Sequence, residues 1–121
     1  MVRAKFRYTP EERKLTMRVS GHAGAGPKGF DIVCAGASMY AFAIAQCIRN
    51  MDGEGKLENP PFIQTETPGR LIVSCVPKEE HFTEAVHTFY VAQVGFRLLA
   101  EAYPDNAMLI PFETSLTGDS K

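Results

Sequence analysis

The chain has 121 residues, 45% of them apolar and 22% charged, with 13 Lys+Arg against 14 Asp+Glu. That is one domain, able to bury a core without disulfides or a structural metal. Its near-neutral balance excludes a nucleic-acid binder that works by bulk charge, while leaving room for a local basic patch.

Residues 2–8 alternate, with Val2, Ala4, Phe6 and Tyr8 on one side and Arg3, Lys5 and Arg7 on the other, the pattern of a half-buried strand. Thr9-Pro10-Glu11-Glu12 predicts a turn. Residues 14–20 alternate again, with Leu15, Met17 and Val19 inward, so the two strands form a hairpin. Gly and Pro then break the pattern over 21–31, which predicts a loop. Val33, Ala37, Tyr40, Ala41, Ile44, Ile48 and Met51 recur at helical steps, predicting a helix over 32–51 with Gly53 near its C-cap. A polar loop ends in Pro60-Pro61, and residues 62–67 and 70–76 predict a second hairpin turned at Pro68-Gly69. A second helix is expected over 79–103, with Phe82, Val86, Phe89, Phe96, Ala100 and Tyr103 on one stripe. Residues 107–113 predict a last strand and 114–121 a polar tail. The order ββαββαβ implies a single α+β domain over 1–121, a largely antiparallel or mixed sheet with two helices on one face.

The second helix is apolar twice over. Val91, Val94 and Leu98 lie opposite the Phe stripe, so this helix needs two apolar partners. One is the sheet; the other is the first helix or a second copy of the chain. No apolar run approaches the ~20 residues of a membrane span, and Met1–Arg7 lacks the apolar segment of a secretory signal. Three cysteines without a CxxC make no disulfide framework. The expected setting is the cytoplasm, with reduced thiols.

Cys34 is the candidate for chemistry. Asp31 stands where the loop gives way to helical periodicity, the place of an N-cap, which puts Cys34 in the first turn. The unpaired N–H groups there favour a thiolate, and the backbone N–H groups of Val33 and Cys34 are candidate donors to an oxyanion. Cys47 and Cys75 fall on apolar faces and read as small core residues. His22 opens the loop before the helix and is the candidate base; His81 and His87, on the second helix, read as surface or dimer-contact residues. Asp31 either orients the imidazole or only caps the helix, and Ser38 lies one turn beyond Cys34. A buried thiol and an unrelated histidine would give the same pattern, and the residues alone leave both readings open.

Other motifs are weaker. The Gly-rich stretch 24–29 lacks the Gly-Lys-Ser/Thr ending of a phosphate loop. A zinc set of His22, Cys34, Cys75 and His81 has no short paired spacing, so neither metal nor cofactor is expected. A redox role would need a resolving thiol, and Cys47 is thirteen residues from Cys34 along the same helix, roughly 20 Å. Arg3, Lys5, Arg7 and Arg18 share the outward face of the first hairpin, either as a solvated face or as a contact for ribosomal RNA.

Gly21-His22-Ala23-Gly24, then Gly29-Phe30-Asp31-Ile32-Val33-Cys34-Ala35 and Ser38, resembles the ribosomal-processing cysteine protease family, Prp. The resemblance implies a homodimeric, cytoplasmic cysteine endopeptidase without cofactor. It would remove an N-terminal extension from large-subunit ribosomal protein twenty-seven, cutting after an aromatic residue, with no direct need for nucleic acid or membrane. Cys34 matches the family nucleophile and His22 the base, while Asp31 and Ser38 match positions near the site. Residues 23–30, with Ala23, Gly24, Gly26, Gly29 and Phe30, would form a lid. Phe30, Tyr40 and Phe42 are candidates to meet the substrate's aromatic side chain. The sequence departs from the family pattern at Ala25, where an aromatic is usual, and at Gly36, where Ala is usual. The other reading is a non-catalytic ribosome-assembly factor that binds a ribosomal protein without cutting it.

Overall fold

A computed structural model describes residues 1–21, 28–65, 70–113 and 116, with nothing stated for the side chains of 28–31. The strands are β1 (Val2–Thr9), β2 (Lys14–Ser20), β3 (Phe62–Gln64), β4 (Arg70–Cys75) and β5 (Ala107–Ile110). The helices are α1 (Lys28–Gly53) and α2 (Phe82–Ala102), with one-turn 3-10 segments at Pro10–Glu12 and Glu79–His81. The strands form one mixed sheet in the order β3-β4-β2-β1-β5. Only the β1–β5 pairing is parallel. The α+β class and the element order are as the periodicity predicts.

Period-2 alternation decides which face is covered. Val2, Ala4, Phe6, Leu15, Met17, Val19, Leu71, Val73 and Cys75 are buried, and they meet Val33, Ala37, Ala41, Ile44, Ile48 and Met51 of α1 and Val86, Phe89 and Phe96 of α2 in one core. Both helices therefore lie on the same side of the sheet. Each fully buried Phe, Leu or Val stabilises the fold by about 1.5–3 kcal/mol relative to exposure. After β5 the chain docks on α2. The Phe112 N–H donates to Gln93 Oε1 at 2.9 Å, and the Phe112 ring lies 5.5 Å from that of Phe6.

Several boundaries differ from the sequence reading. The 3-10 turn at Pro10–Glu12 ends at Arg13 with φ 53, and Arg13 is held there by its side chain, which donates to the Pro77 carbonyl and pairs with Glu58. α1 runs two residues past the expected end, to Gly53, and the left-handed residue after it is Gly55, φ 75. β3 and β5 are shorter than expected, and the Pro68-Gly69 turn and most of the tail lie outside the described residues. Leu116 is described, and its N–H donates to Tyr90 Oη at 2.8 Å. The expectation about apolar runs also needs correcting. Ile32–Gly53, 22 residues with an 18-residue stretch of mean hydropathy 1.4, is long and apolar enough for a membrane span. Its Val33–Met51 stripe instead packs against the sheet as part of the core.

Candidate active site

The site is built where β2 ends and α1 begins. β2 finishes at Ser20, in register with Arg3 of β1 and Arg70 of β4. The next residue, Gly21, has φ +91, and a Cβ there would collide with the Met1 carbonyl oxygen. Only glycine passes this close to the start of β1 with that backbone. In the sequence Gly21 stands only as part of a motif; the signal for this close approach is a glycine directly after a strand. His22 follows it in the chain. His22 and the proposed lid residues Ala23, Gly24 and Gly26 lie outside the described residues. Gly29 and Phe30 are described only as backbone, and that backbone is helical rather than loop.

α1 starts at Lys28, four residues earlier than the periodicity predicts. This changes three expectations. Asp31 lies inside the first turn and is not the N-cap. Cys34 is the seventh helical residue, in the second turn, where the field of the helix terminus has largely decayed. The N–H groups of Val33 and Cys34 are used within the helix, bonded to carbonyls four residues back. The donors with no partner in the helix are those of residues 28–30.

Cys34 is half-buried and packs against the core beside Val33, which is fully buried. Contacts with α2 come from another flank of α1: Gly36 faces Leu99, and the Tyr40 ring covers Gly95. At 100° per residue Cys34 lies on the side turned away from α2, with Ser38 exposed one turn beyond. The Tyr40 ring is also 5.6 Å from that of Phe96, so Tyr40 serves helix packing. Phe42, 54% exposed, is free for other contacts. The Gly36 departure is sterically neutral, because a Cβ there would meet Leu99 at an ordinary 3.5 Å.

The other cysteines separate cleanly. Cys75 is buried, and burial pushes its thiol up to about 12, which makes it inert near neutral pH. Cys47 is exposed, against the expectation of a core position. His81 is half-buried with Nδ1 3.6 Å from Glu84 Oε1, and His87 is exposed on α2. Among the described residues no His, Cys, Asp and Glu cluster is arranged to hold a metal ion.

Two layers, an open sheet and a helix pair around one core, with one partly buried thiol near the start of the first helix, fit a small cysteine peptidase. The family model of cysteine protease Prp matches residues 1–108, and this chain belongs to that family. It is a cysteine protease acting on peptide bonds. Among solved structures it is similar to the ribosomal processing protease Prp of S. aureus in complex with a covalently linked product peptide, at 25% identity and TM-score 0.68, covering 92% of this chain and 99% of that one. The same S. aureus protease with a substrate peptide matches at 24% identity and TM-score 0.68, over 92% and 99% of the two chains. SMU.848 of Streptococcus mutans matches at 22% and 0.67, over 93% and 94%. Among curated proteins no relative matches.

Proposed function

We propose that this chain is the endopeptidase that trims the N-terminal extension of large-subunit ribosomal protein twenty-seven in the cytoplasm of its host, with Cys34 as nucleophile and His22 as base. The observation that carries the reading is a family match over 1–108 that includes both the Gly21-His22-Ala23-Gly24 block and the Cys34 block. The S. aureus relative with a covalently linked product peptide supports a covalent step.

His22 takes the proton from Cys34 Sγ, and the sulfur attacks the scissile carbonyl carbon. N–H groups at the start of α1, from residues 28–30, hold the oxyanion. The intermediate collapses as the C–N bond breaks and His22 returns the proton to the leaving amine. Water then attacks the thioester, His22 takes its proton, the C–S bond breaks, and His22 returns the proton to the Cys34 sulfur. Substrate lies extended on the flank of α1 that bears Cys34, where β3 is the sheet edge able to offer main-chain hydrogen bonds. Phe42 is the exposed aromatic retained as a contact for the substrate side chain. A second copy of the chain covers the outer surface of the helix pair, where Val91, Val94 and Leu98 are 66%, 55% and 58% exposed.

The test is a peptide carrying the extension and its cut site, followed by mass spectrometry. Wild type cleaves it once. Cys34→Ser and His22→Ala lose at least about a thousandfold in rate, since nucleophile and base act as a unit. Undiminished cleavage by Cys34→Ser would refute the mechanism, and binding without cleavage by wild type would favour the assembly-factor reading.

A further inference from the structure

The sheet has a second face, opposite the helices, and no element of the described structure covers it. Its residues follow from the register. Lys5 stands directly across from Arg18, with Arg3 and Arg7 two residues to either side of Lys5. Arg70 extends the row through Ser20 on β2. Arg3, Lys5, Arg7, Arg18 and Arg70 are exposed. None of the 14 acidic residues falls in any of the five strands. Among the described residues none of these five cations forms an ion pair. A chain of net charge −1 has therefore gathered a block of positive charge on one surface.

The arrangement is not what solubility alone requires. Like charges directly opposite on antiparallel strands destabilise a sheet, and Lys5–Arg18 is such a pair, with no carboxylate among the described residues paired to either. The cations recur at two-residue steps, about 7 Å apart along a strand, on adjacent strands. They form a track rather than a point. Apolar side chains flank the track on the same face. Phe62, 56% exposed, lies on β3, while Met108 and Ile110 lie on β5 in register with Arg3 and Lys5. Beyond the end of β5 the surface continues into a groove of about 430 Å³ lined by Lys5, Arg7, Tyr8 and Ile110, with Glu113 as its one acid.

A track of cations bordered by exposed apolar and aromatic groups fits a ligand that carries a charge on every unit and a stackable base beside it. We propose that the open sheet face binds single-stranded RNA. An acidic peptide would use the cations but not Phe62, and the five-stranded face is too broad to enter a duplex groove. The choice of RNA over single-stranded DNA rests on the ribosomal reading above. The face would hold the protease beside its substrate without touching the chemistry, because Cys34 is on the helix side of the sheet.

The experiment measures anisotropy of a fluorescent 20-nucleotide unstructured RNA against Cys34→Ser protein, so that the result does not depend on cleavage. Competitors are DNA of the same sequence, poly-glutamate and vesicles of anionic lipid. RNA binding is expected with an affinity that falls linearly with salt on logarithmic axes. The double variant Lys5→Gln/Arg18→Gln should weaken it by about tenfold and reduce the slope by about 1.4, two phosphate contacts' worth. Phe62→Ala should weaken binding without changing the slope, and Lys78→Gln, away from this face, should leave both unchanged. The double variant should melt no lower than its parent, since it removes a repulsion. In the Cys34-intact background it should cut the short peptide at the wild-type rate. No RNA binding at low salt, an unchanged slope in the double variant, or tighter competition by DNA, poly-glutamate or vesicles overturns the proposal, whatever the peptide assay gives.

Discussion

Of the three thiols, Cys34 is half-buried against the core, Cys47 is exposed and Cys75 is buried. Exposure alone would make Cys47 the fastest to alkylate. The second-turn position of Cys34 removes most of the help that a helix terminus gives a thiolate, so the proposed mechanism rests its activation on the His22 imidazole. At neutral pH iodoacetamide should label Cys34 faster than Cys47 and leave Cys75 untouched, as peptide mapping of a time course will show. His22→Ala should remove the advantage of Cys34, so that Cys47 labels first. Equal rates at Cys34 and Cys47 in the wild type would deny the pair. The family was legible in the sequence, because a Gly-His block and a Cys block in that order are specific. The cap was not. Asp31 is a good N-cap by type, and nothing in Gly26-Pro27-Lys28-Gly29 signals that the helix starts three residues before it.

At the scale of elements, alternation and helical spacing placed all seven strands and helices because each buries one face against the same core. They failed where that force is weak. Cys47 has the spacing of an apolar flank, yet the helix turns it to solvent. β5 stops at Ile110 because Pro111 has no N–H to continue the ladder, and the Phe112 N–H then takes Gln93 as its acceptor. The link between the end of α1 and the start of α2 is electrostatic. Lys56 Nζ lies 2.8 Å from Glu84 Oε2 and 3.0 Å from Glu54 Oε1. Hydrogen bonding to Lys56 holds the Glu84 carboxyl below its ordinary value, and the same bond raises Lys56. A lowered carboxylate contributes stability that is present above its unfolded pKa, about 4.3, and is lost as pH falls through the lower folded value. A raised lysine contributes below about 10.4, and that part is lost as pH rises through the folded value. Glu84→Gln should therefore lower Tm slightly between about pH 5 and 10, with the difference closing at both extremes and in high salt, since the pair is open to solvent. Calorimetry across pH checks it; a gap that persists in acid would mean that Glu84 acts through packing instead.

Over the whole molecule, the sheet divides two surfaces of opposite character. One side carries the helix pair, whose outer surface is apolar. Met39 of α1 is 69% exposed, and Val91, Val94 and Leu98 of α2 are 66%, 55% and 58% exposed. The helices touch closely enough for this surface to be continuous, since the Tyr40 ring fills the space over Gly95. An area of this kind on a small domain is costly to leave in water and suits a self-complementary contact between two copies. Within one chain it has no partner among the described elements, because the sheet already occupies the other side of both helices. The double apolar face of α2 was visible in the sequence, but that α1 leaves it uncovered needed the structure: α1 meets α2 through Gly95, and Val91, Val94 and Leu98 stay exposed. Val94→Glu places a charge in the middle of that surface without entering the core. Light scattering should show wild type at twice the chain mass and Val94→Glu at the chain mass, with an unchanged far-ultraviolet spectrum. A wild-type monomer at high micromolar concentration would leave these apolar side chains without the partner that their exposure calls for.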